Sequence, residues 1–137
     1  MSNVLVLDSE AMAALGGPKS ERKAEVRAAM LAALRLNREV VVPAVILAEL
    51  FRGPRFNAVV DSCLARESAI DVAVTDRPMA KMVGGILGGA GAGSQDLADA
   101  HCVAVAVQAG GGVVLTGDDA DLQRLSAGYS NVVVSRI

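Results

Sequence analysis

Acidic side chains recur in this chain wherever an apolar run begins or ends. Asp8 closes the run Val4 to Leu7, and Glu49 follows the apolar stretch Val40 to Ala48. Asp96 and Asp99 open the apolar helix-forming run Ala98 to Ala109, and Asp118 and Asp121 come just after Val113 to Thr116. A carboxylate at a helix start has an ordinary structural use, because it accepts from free N–H groups and complements the helix dipole. Repetition of the pattern after buried-strand sequences points further, since ligands of open parallel sheets bind beyond the strand C-termini. Two carboxylates about 4 Å apart repel by roughly 4 kcal/mol at an effective dielectric near 20, so four that converge need a cation or must take up protons. All-oxygen ligands select a hard ion such as Mg²⁺ or Mn²⁺. Such an ion retains waters, acidifies one and bridges to a phosphate oxygen, which is the chemistry of phosphodiester hydrolysis.

Other catalytic designs have less support. His101 is the single histidine, so a two-histidine ribonuclease mechanism is excluded; two positions after Asp99, it points from another helix face and is expected to be structural or on the surface. Ser9 has no evident base and is expected to hydrogen-bond locally at a helix start. An aspartyl-phosphate enzyme would carry a second aspartate two residues after the first, where this chain has Glu10. The glycines from Gly84 to Gly93 lack the lysine of a phosphate loop and follow a helix rather than a strand. Cys63 and Cys102 sit among apolar residues, as buried reduced thiols do, and do not form a zinc pattern.

A formal net charge of −2 argues against nucleic-acid binding through bulk positive charge. Lys19, Lys23 and Arg27, with Arg22 beside them, could still form a local basic face, although Glu21 and Glu25 interleave with them as on an ordinary solvated helix. Phe51, Phe56 and Tyr129 are too few to make a stacking platform for bases, so a nucleic-acid target would be selected by shape and phosphates. Hydrophobic residues are 53% of the chain and aromatics 2%, which demands an aliphatic core and suggests a partner subunit. No positive segment precedes the first apolar run, and none approaches the length of a membrane span, so a cytoplasmic protein is expected.

The acids are carried by alternating strands and helices. Strands are expected at Asn3 to Leu7, Glu39 to Val42, Ala69 to Val74, Val113 to Thr116 and Asn131 to Ile137. Helices are expected from Ser9 to Leu15, Ser20 to Leu36, Pro43 to about Arg52, Arg55 to Arg66, Thr75 or Asp76 to the glycines at Gly88 to Gly93, Ala98 to Ala109, and Asp118 to Ala127. The 137 residues form one domain, 1–137, with no linker or repeat. Five strands separated by helices imply an α/β fold, a three-layer α/β/α sandwich with a mostly parallel sheet. The acids can then meet at one sheet edge.

The stretches VLVLDSEAMAAL, VPAVILAELFRG and DAHCVAVAVQAGGGVVLTGDDADLQRL together resemble the PIN-domain nucleases, in particular the VapC-type toxins of toxin–antitoxin pairs, over nearly the whole chain. The resemblance implies a PIN-like sheet in the order 3-2-1-4-5, with Asp8, Glu49, Asp99 and Asp118 as a catalytic quartet and Asp8, Asp99 and Asp118 holding the metal. Asp118 keeps the family spacing two residues after Thr116, which favours it over Asp119. Asp96, Asp121, Thr116 and Arg52 match auxiliary positions. The implied activity is a Mg²⁺- or Mn²⁺-dependent endoribonuclease acting on a structured RNA, such as a tRNA or a ribosomal stem-loop, to leave 5′-phosphate and 3′-hydroxyl ends. The implied partners are a VapB-like antitoxin and a second copy in a homodimer. The alternative is a PIN-like module that binds RNA or protein without cutting.

Overall fold

The computed structural model describes residues 3–137. Chain order is β1 (Val4–Leu7), α1 (Ser9–Gly16), α2 (Glu21–Arg35), β2 (Glu39–Pro43), α3 (Ala44–Leu50), α4 (Pro54–Arg66), β3 (Ile70–Ala73), α5 (Arg77–Gly89), a 3-10 turn (Ser94–Asp96), α6 (Leu97–Gln108), β4 (Gly112–Thr116), α7 (Ala120–Ser126) and β5 (Val132–Arg136). Each strand anticipated from the sequence is present: β1, β3 and β5 are trimmed by one or two residues, and β2 and β4 are each one residue longer.

The strands form a sheet in the order β3-β2-β1-β4-β5. All of its pairings are parallel, so the sheet is parallel throughout rather than mostly so. β1 is central and every one of its residues is buried, as a strand covered on both faces requires. On one side α2 packs against β1 and β2, with α1 and α4 beside it. On the other side α6 crosses β1, β2, β4 and β5, flanked by α5 and α7. The α6 face carries little but Ala, Val, His101 and Cys102, and seven of its twelve residues are buried. That explains why the helix reads as apolar all round: it lies between the sheet and two other helices.

Close packing of α6 on the sheet depends on Gly112. A Cβ there would lie 2.5 Å from Val4 Cγ1 and 3.3 Å from Ala106 Cβ, so a side chain would push helix and strand apart. The reversal from α6 into β4 uses Gly110 at φ 84° and Gly111 at φ 128°, conformations that other residues rarely adopt. No helix among the described residues is long and apolar enough to cross a membrane.

Candidate active site

Parallel strands place their C-termini on one edge, and the chain uses that edge for its acids. Asp8 leaves β1 there and is also the N-cap of α1: its Oδ1 accepts from the Ala11 N–H at 2.8 Å, while the residue is only 3% exposed. The ordinary capping use of this aspartate is therefore real, and it occupies only one carboxylate oxygen. Glu49 projects from α3, the helix that begins as β2 ends at Pro43. Asp99 lies in the first turn of α6. Asp118 sits in the loop after β4, two residues ahead of α7 rather than at its first turn. Its backbone is fixed by buried Thr116, whose Oγ1 accepts from the Asp118 N–H at 3.0 Å and donates to the Asp118 carbonyl at 2.9 Å.

Asp8, Glu49, Asp99 and Asp118 line a single polar cleft of about 190 Å³. Asp119, its neighbour in sequence, does not line it. Among the auxiliary residues, Asp121 lines the same cleft. Asp96 lies beside it, buried with 5% exposed, and Asp96, Asp99 and Asp121 each offer a carboxylate oxygen within 4.8 Å of the others. Arg52 does not join them: its Nη1 donates to the carbonyls of Ala48 at 2.8 Å and Phe51 at 3.2 Å, closing the C-terminus of α3.

The electrostatics reflect this crowding. Burial pushes the Asp99 carboxyl up to about 6, reinforced by the charges of Asp8, Asp121, Glu49 and Asp96. Burial also raises Asp8, opposed by the Thr116 hydroxyl and the Ala11 N–H. The one hydroxyl proton of Thr116 can serve either Asp8 or the Asp118 carbonyl by rotation. A cation joining such carboxylates would favour their charged state. The acids lining the cleft offer an all-oxygen donor set, which suits Mg²⁺ or Mn²⁺, ions that bind through carboxylates while retaining water.

Three cleft features escaped the sequence reasoning. Glu10 lines the cleft from α1 and pairs with Arg22 at 3.6 Å, its carboxylate lying over Gly117. Gln95 contributes an amide from the 3-10 turn. Arg124 reaches back from α7 to Asp96 at 2.9 Å and Asp121 at 3.3 Å, and only the latter pairing was visible as an i, i+3 spacing. Ser9 lines the cleft as well. His101 is buried and structural: its Nδ1–H donates to the Leu97 carbonyl at 2.7 Å, leaving Nε2 without a partner among the described residues. Cys63 and Cys102 are both buried and free, as anticipated.

Residues 5–128 match the family profile of the PIN domain, and the chain belongs to the PIN-domain family. The fold is shared with solved structures. VapBC2 from Rickettsia felis, bound to a DNA fragment from its promoter, is 14% identical with a TM-score of 0.68, covering 98% of each chain. A toxin–antitoxin complex from Klebsiella pneumoniae is 16% identical with a TM-score of 0.68, covering 97% of this chain and 99% of the other. FitAcB from Neisseria gonorrhoeae is 21% identical with a TM-score of 0.63, covering 95% of each. None of the curated proteins compared matches the chain.

Proposed function

We propose that the protein is a metal-dependent endoribonuclease of the VapC toxin type, and that Asp8, Glu49, Asp99 and Asp118 carry its activity. The observation behind this reading is the meeting of four carboxylates, from four separate segments, in one cleft at the C-terminal edge of a PIN-family sheet. Asp8, Asp99 and Asp118 are the proposed holders of Mg²⁺ or Mn²⁺. The bound ion would neutralise phosphate charge and acidify water.

The chain's own residues do the rest. Asp8 is held rigid by its cap to α1, and Thr116 fixes the loop that presents Asp118. Glu49 and Asp99 approach the cleft from different helices and are the groups placed to orient a water and take its proton. Attack in line on phosphorus breaks the bond to the 3′ oxygen, giving a 5′-phosphate and a 3′-hydroxyl. The cleft lies in the open and carries no aromatic platform, which favours a folded RNA presenting its backbone.

The proposed partners are a VapB-like antitoxin and a second copy of the chain. Their support is the kinship of fold with toxin–antitoxin complexes and an apolar groove of about 200 Å³ between α1 and α4, where Phe56 is 56% and Val59 48% exposed. The test is RNA cleavage by the purified protein with Mg²⁺ or Mn²⁺, followed by mapping of the 5′ ends. Asp8→Asn, Glu49→Gln, Asp99→Asn and Asp118→Asn should each lower cleavage by at least 100-fold while circular dichroism stays native. Full activity in any one of them removes that residue from the site. RNA binding without cleavage in either metal would favour the non-cutting module.

A further inference from the structure

The acids of the cleft do not all share one electrostatic condition. Asp96 and Asp121 are paired with a cation already. Nη2 of Arg124 lies 2.9 Å from Asp96 Oδ2 and 3.3 Å from Asp121 Oδ1, so a single guanidinium nitrogen spans both carboxylates. Asp99 offers a carboxylate oxygen within 4.8 Å of an oxygen of each of these two acids, and it takes part in no ion pair with Arg124.

Asp96 shows how firmly the arrangement is built. It occupies the N-cap position of α6, where an aspartate ordinarily turns its carboxylate onto the free N–H groups, yet it makes no side-chain cap bond. The carboxylate instead meets Arg124 across 28 residues of sequence, with only 6% of the side chain exposed. A buried carboxylate that has given up its local donors for a distant guanidinium depends on that partner, because losing it would leave a buried charge alone.

We propose that Arg124 is the resident cation for Asp96 and Asp121, so that the protein binds one divalent ion, at Asp8, Asp99 and Asp118. A second ion shared by Asp96, Asp99 and Asp121 would have to displace Arg124 from two of its three ligands or sit against its positive charge. Arg124 is thus a positioning residue: it fixes α7 to the start of α6, and it sets the metal count. This inference rests on the reading of the cleft as a divalent-metal site.

Its test is Mn²⁺ binding to the purified protein, with free Mn²⁺ followed by electron paramagnetic resonance through a titration. The parent should bind one ion per chain. Arg124→Gln should bind two, Arg124→Lys should return to one, and Asp96→Asn combined with Arg124→Gln should also bind one because the second ion has lost a ligand. A parent that binds two ions overturns the inference without any variant, so the test stands even if Arg124→Gln fails to fold. A folded Arg124→Gln protein that binds one ion overturns it too. A parent that binds none would sink the metal-site reading itself, a different and distinguishable failure.

Discussion

Replacing Asp99 by Asn should stabilise the metal-free protein, and the size of the gain follows from its setting. The folded state holds this carboxyl at about 6 against an ordinary value of 3.8, for reasons of burial and of four neighbouring acids. A raised carboxyl contributes stability that is complete below the unfolded value and is lost as pH rises through the folded one. At pH 8 the full linkage would be about 3 kcal/mol, from roughly 1.4 kcal/mol per unit. Asp99 is only partly buried, so solvent and salt reduce this to about 1 kcal/mol. At roughly 2.1 cal/mol/K per residue, unfolding entropy makes 1 kcal/mol worth about 3 °C in a chain of this length. Asn loses the favourable interaction of a charge with the helix start, a smaller opposing effect of about 0.5 kcal/mol.

Thermal melts of parent and Asp99→Asn in EDTA should therefore show the variant higher by about 2 °C at pH 8. The gap should shrink as the pH is lowered and be nearly gone at about pH 4, where the parent's carboxyl is protonated in the folded state. Mg²⁺ should then raise the parent more than the variant, since a ligand stabilises only the state that binds it. A variant that melts below the parent at pH 8, or equal Mg²⁺ shifts in the two, would refute the argument that Asp99 belongs to a shared, self-repelling site.

Two substitutions separate scaffold from chemistry. Gly112→Ala puts a Cβ against Val4 and Ala106, and should cost about 1–3 kcal/mol as overpacking does, read as a loss of several degrees in the melting temperature. Arg52→Ala removes donors from the α3 C-terminus, and should lower stability by about 0.5–1 kcal/mol while RNA cleavage stays within a factor of about three of the parent; a 100-fold loss of cleavage at native stability would return Arg52 to the active site.

The sheet was legible because its residues carry unambiguous signals. Val and Leu runs too short for helices, broken by Gly and Pro, fix five strands, and helices between them leave parallel pairing as the economical connection. Asp8 and Asp118 were legible as neighbours for the same reason, because residues just beyond the C-termini of parallel strands share an edge; Glu49 on α3 and Asp99 at the start of α6 joined them through the family resemblance. The hidden parts depend on lateral register and on rotamers, which local sequence does not encode. Glu10 enters the cleft because α1 starts immediately at Asp8 and turns its first residues inward, and Gly117 leaves room for it. Arg52 follows Glu49 by three residues, near enough to suggest a shared task, but α3 ends at Leu50 and the guanidinium meets the open carbonyls first. Asp96 shows the limit of local rules most clearly. At a helix start the sequence favours a cap, yet the carboxylate makes no cap bond, because β4 delivers α7 alongside α6 and brings Arg124 within 2.9 Å. The charge of an acidic cluster is therefore not readable from a count of its acids: one basic residue from the next helix decides how many of them remain for a cation.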